Sequence, residues 1–129
     1  MIWSMYAAVL AIFYVALSVR TLLSRRRLRV AVGDGGNTAL LRIVRAHGNF
    51  AEYVPLALLL LMACEQLGAP GLLLHALGLM LLVGRLSHAF GVSREPEVFA
   101  FRVTGMALTF TCYLVSAAFV LYRTTAGRA

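Results

Sequence analysis

The sequence predicts an all-α integral membrane protein, a four-transmembrane-helix bundle forming one domain over residues 1–129. Three observations predict it. The chain is 61% hydrophobic and only 13% charged, with a mean hydropathy of +0.85, whereas about a quarter of a soluble domain is charged. Uncharged runs cover residues 2–19, 68–84 and 103–122, and the apolar run 54–64 extends a polar stretch that precedes it. Spans of about 20 residues are what a hydrocarbon core of roughly 30 Å requires of a helix. A soluble bundle with a large core fails on run length.

The first helix is expected near 2–24. MIWSMYAAVLAIFYVALSV comes before RTLLSRRRLRV, the reverse of a signal peptide, whose positive charge precedes its apolar run. Positive charge after the first span places the 25–37 loop in the cytoplasm. Four spans then leave both termini periplasmic in a bacterial inner membrane, the setting suggested by a composition with Arg but no Lys. VSREPE also falls on the cytoplasmic face and QLGAPG on the outer one. Arg123 and Arg128, on the outer side, oppose this asymmetry.

The second helix is expected over 38–66, capped by the side-chain oxygen of either Asn37 or Thr38. The GDGGN before it supplies turn glycines. It is not a phosphate loop, since no strand precedes it and no Lys follows. Pro55 leaves the carbonyl of Ala51 without its helical partner and should bend the helix. The third and fourth helices are expected near 71–91 and 97–123.

The net charge of +7 invites a nucleic-acid reading. Five of the twelve arginines lie between Arg20 and Arg29, beside a span, with no aromatic-and-basic surface for stacking bases. That pattern is a topology signal plus contact with anionic membrane lipids, so no nucleic-acid partner is expected. Cys64 and Cys112 lie in apolar helix. If Arg45 and Arg102 share a depth, the two sulfurs differ by about 13 Å along the bundle, too far for a disulfide. The three histidines are too scattered for a metal site.

RIVRAHGNFAEYVP, residues 42–55, carries the chemistry. At 100° per residue Arg42, Arg45, Asn49 and Glu52 fall within a sector of about 80°, with His47 on the other side. Lipid is excluded as their surroundings, because unpaired charge there costs several kcal/mol. Arg85 and His88 sit one turn apart in GRLSHAFG, and Arg102 lies in FRVTGM with Gly105 one turn on. All three clusters fall towards the cytoplasmic helix ends. A buried ion network fixing helix register is the plain alternative. Four arginines against the single acid Glu52 instead favour an anionic ligand with carboxylates that Arg holds bidentately. Asn49 and Glu52 would suit that ligand's own ammonium or amide.

RAHGNFAEYVP, GRLSHAFG and FRVTGM resemble, in order and spacing, the membrane-associated proteins in eicosanoid and glutathione metabolism, especially their small bacterial branch. The resemblance covers nearly the whole chain. It implies a four-helix protomer, a homotrimer, and glutathione bound between subunits near the cytoplasmic face. Carried over by position, Arg45, Asn49 and Glu52 match the glutathione-holding residues of the second helix. His47 matches a family histidine but is structural here. Arg85 and His88 match the third-helix pair, and Arg102 the arginine placed near the sulfur. Arg42 belongs to the same stripe. A first-helix arginine also contacts glutathione in the family, with Arg20 and Arg25 both candidates. The chain departs from the eicosanoid-forming branch, which has a second Arg at the place of Gly48, a Tyr at Val92 and, in one member, a Ser at Val103.

The chemistry so implied is thiolate activation, with a lipophilic electrophile or peroxide arriving from the bilayer. A thiol like that of free Cys is only a few per cent ionised at neutral pH. Arg102 is the expected activating group, with Thr104 a weaker candidate hydroxyl donor. The implied enzyme is a membrane-bound glutathione S-transferase. Two other classes compete. One is a non-enzymatic glutathione- or lipid-binding scaffold. The other is a small multidrug transporter, disfavoured because the first helix has no acid to couple protons.

Overall fold

Inside a bilayer a chain must satisfy its backbone hydrogen bonds within each segment, and helices do so. In the computed structural model, which describes residues 1–126, the long apolar runs form α1 Ile2–Leu28, α2 Thr38–Gln66, α3 Gly71–Ser93 and α4 Phe99–Ala126. All four are long and apolar enough to cross a membrane. The second helix has its predicted bounds, and α2 continues unbroken through Pro55. α1 runs past its predicted end at 24, placing Arg25, Arg26 and Arg27 in its last turn. Cations there complement the negative end of the helix dipole. α4 begins later than predicted, because Val98 first turns back to donate its N–H to the Gly91 carbonyl at 3.2 Å. Arg128 lies outside the described residues.

Asn37 decides the capping question: its Oδ1 accepts from the Leu40 amide at 2.9 Å. Gly33, Gly35 and Gly36 of the preceding loop all have positive φ, a conformation cheap only for glycine. Arg25 fastens this loop by donating from Nη1 to the Gly33 carbonyl at 2.7 Å.

The helices alternate in direction, with α2 and α3 in the middle. α1 packs on both, α4 packs on both, and among the described residues α1 and α4 do not meet. Leu10, Leu61, Leu74, Leu77 and Leu81 form the fully buried centre, with Cys64 and Cys112 beside them. Ile12, Leu22, Leu59, Leu114 and Leu121 are exposed, as side chains facing lipid would be. Both cysteines are free, but the predicted gap in depth is too large. Cys64 donates to the Ser116 carbonyl, and Ser116 lies one turn, about 6 Å, beyond Cys112. Arg45 and Arg102 therefore stand at different heights and reach a common level with their long side chains.

At the end away from the RRRLR segment, Glu65 of α2 accepts the Ile2 and Trp3 amides, both at 2.8 Å. These are among the N–H groups that a helix start leaves without partners. Tyr6 of α1 bonds the His75 carbonyl of α3 at 3.2 Å. His47 faces α1 as well, with Nε2 3.0 Å from the Ser18 hydroxyl and its ring stacked on Tyr14, away from the arginine stripe.

Candidate functional site

Helical spacing brings Arg42, Arg45 and Asn49 onto one edge of α2, beside His88 of α3. The fourth wall depends on how closely α4 approaches α3. A Cβ at Gly105 would lie 2.6 Å from the His88 amide, and one at Gly91 would lie 2.7 Å from the Arg102 amide. Glycine at both places lets the backbones meet and sets Arg102 across from Arg42. The result is a cavity of about 260 Å³ lined by Arg42, Arg45, Asn49, His88, Val92, Glu97 and Arg102, with Thr38 and Leu41 at its edge.

Glu97 is the member that sequence reasoning missed. Residue 97 is expected to end the VSREPE connection and open the fourth helix, but α4 starts at Phe99 and Glu97 lies in a loop that folds back onto α3. Its carboxylate bridges two helices, with Oε1 2.9 Å from Arg102 and Oε2 3.5 Å from Arg42. The hydrogen bond from Arg102 is the main reason its carboxyl stays below the usual carboxylate range. The available signal was its place just before the fourth helix, where the dipole favours an anion. The acids near the stripe are thus two. Three guanidiniums still face one carboxylate in the cavity, because Glu52 lies on the exposed side, 3.8 Å from Arg45.

Arg85 takes a different position from its predicted partners. It is 1% exposed and lies behind the cavity wall. It donates to Asn49 Oδ1 and, at 3.2 Å, to Thr109 Oγ1, with its guanidinium over the Tyr53 ring. Arginine has no acceptor, so the oxygen of Asn49 must face it. Asn49 is left to offer its amide N–H groups elsewhere, which suits a carbonyl or carboxylate better than an ammonium. Two buried nitrogens at the cavity, His88 Nδ1 and Arg42 Nε, have no partner. Buried polar groups are rarely left so, and both fit a site built for a polar ligand.

The remaining predicted residues lie elsewhere in the protomer. Arg20 donates to the Ser93 hydroxyl at 2.8 Å, and Arg25 serves the glycine loop. Thr104 faces an apolar groove between α1, α3 and α4. Two residues along a helix is a rotation of about 200°, so Thr104 and Arg102 point apart.

The sequence model described as the MAPEG family matches residues 3–122. The chain belongs to the MAPEG family. This MAPEG protein is similar to the inner membrane protein YecN of Escherichia coli K12, 36% identical over 115 residues, covering 89% of this chain and 86% of the relative. It matches the YecN of Escherichia coli O6:H1 with the same identity and coverage. Family and helices together make it an integral membrane protein. Arg45, Asn49, His88 and Arg102 of this MAPEG chain line one cavity, with Val92 in its wall.

Proposed function

We propose that the cavity binds glutathione, and that the protein is a membrane-bound glutathione transferase or peroxidase working on lipophilic electrophiles. The observation that carries this reading is the convergence of Arg42, Arg45 and Arg102 on a single cavity whose His88 Nδ1 and Arg42 Nε lack partners. Guanidiniums hold carboxylates bidentately, and glutathione has two. Arg45 and Asn49 would hold the tripeptide, and Arg102 would favour its thiolate. The thiolate sulfur then forms a bond to the electrophilic carbon, and the leaving group departs with its electron pair.

The proposed assembly is a homotrimer. A cavity of about 260 Å³ is below the roughly 300–1,000 Å³ of sites that bury drug-sized ligands. The exposed Arg45–Glu52 pair cannot face lipid, so a neighbouring subunit would complete the site. The proposed placement is the inner membrane, with the arginine-rich 25–37 loop cytoplasmic and both termini periplasmic.

A scaffold reading has one observation in its favour. Glu97 already holds Arg102, and Thr104 faces elsewhere, so little is left to act on a sulfur. Ultraviolet absorbance of bound glutathione against pH, with calorimetric affinity on the same preparation, decides between them. A transferase shows thiolate at neutral pH. Binding without thiolate makes the protein a glutathione-binding scaffold, and no binding removes the transferase and leaves only a lipid-binding scaffold.

A further inference from the structure

α1 and α4 do not meet, which leaves a groove of about 1110 Å³ over the face of α3 that looks away from α2. It shares no lining residue with the arginine cavity. Its body is apolar, formed by Leu17, Leu86, Phe90, Phe101 and Leu108. One end is different. Arg20 reaches in from α1 to Ser93, and Arg94, at the end of α3, stands over the Phe90 ring at 4.5 Å. Both arginines are exposed, and among the described residues neither is in an ion pair. Both belong to the bundle end that carries the RRRLR segment, where the headgroups of a bilayer spanned by these helices would lie.

An apolar trough closed by two unneutralised guanidiniums is complementary to an amphiphile with an anionic head. A neutral electrophile would leave the arginines without a role. A soluble anion would leave the trough empty. We propose that this groove is a specific site for a membrane phospholipid with an anionic headgroup. The phosphate sits between Arg20 and Arg94, beside Ser93, and an acyl chain lies along α3. Within the protomer α3 separates the two cavities, and the groove site uses no residue that lines the arginine cavity.

Native mass spectrometry of the protein in neutral detergent tests this, with added phosphatidylglycerol or phosphatidylcholine of identical chains. The wild type should retain phosphatidylglycerol preferentially. Each interfacial arginine contributes roughly a fivefold preference, so Arg94→Ala should lose about that factor, and Arg20→Ala with Arg94→Ala roughly 25-fold. The paired Arg→Lys variant should keep the preference, because a point charge still serves a phosphate. Leu86→Trp should fill the trough and reduce retention of both lipids, while saturating glutathione should change neither. Equal retention of the two headgroups by the wild type overturns the proposal. So does a preference that survives the paired alanine variant, lipid retention unaffected by Leu86→Trp, or competition by glutathione. Lipid lost on oligomer assembly would assign the groove to a second copy and overturn it equally.

Discussion

Glu97 occupies the place between Arg42 and Arg102 where a ligand carboxylate would be held. An incoming anion must compete with it. Removing its charge in Glu97→Gln should therefore tighten glutathione binding roughly two- to fivefold, the range of partly exposed ion pairs, as read by calorimetry. The same pair sets a pH dependence. Arg102 depresses the folded-state pKa of Glu97 below its unfolded value. The pair's contribution to stability is then complete above the ordinary carboxylate range and lost as pH falls through the depressed value. Melting temperature in detergent should decline on acidification in the wild type and decline less in Glu97→Gln; identical profiles would remove the pair as a cause. Binding and chemistry separate at other residues. Arg45→Ala and Glu52→Gln should raise the glutathione dissociation constant with a smaller effect on turnover. Arg102→Leu should keep appreciable binding but raise the pKa of the bound thiol. An unchanged thiol pKa in Arg102→Leu would mean that another group activates the sulfur.

At the scale of elements, the site depends on how α3 and α4 approach. Gly105→Ala and Gly91→Ala each place a methyl against backbone, and overpacking of this kind costs on the order of 1–3 kcal/mol. Both should lower the melting temperature, and both should weaken glutathione binding beyond that loss by moving Arg102 from Arg42. A Gly105→Ala protein with wild-type melting and affinity would show that the helices separate without consequence. The helices themselves were legible in the sequence, since run length and a cap before Thr38 are local signals. So was the gathering of Arg42, Arg45 and Asn49, which needs only the helical repeat. The opposite headings of Arg102 and Thr104 were equally available from that repeat. The return of Glu97 was not, because it depends on a backbone contact with Gly91. Nor was the burial of Arg85 behind Asn49, which depends on Thr109 and Tyr53 arriving from other turns.

For the whole molecule, the half-formed cavity and the exposed Arg45–Glu52 pair lead to the proposed trimer. Light scattering corrected for detergent should give three copies per particle, and a monodisperse monomer that still binds glutathione would exclude intersubunit sites. Orientation is separately testable in a variant lacking Cys64 and Cys112. Val32→Cys, at a position 89% exposed, should resist an impermeant thiol reagent added to intact cells, whereas Thr125→Cys should react. The reverse pattern would invert the topology. The clamp of Glu65 on the Ile2 and Trp3 amides has a consequence for biogenesis. Glu65 closes the last turn of α2, so the opening turn of α1 has only water for these two amides until synthesis has passed the second span and that span has crossed. The first helix is thus completed by the second, and the two should become resistant to extraction from the membrane in one step, not in succession.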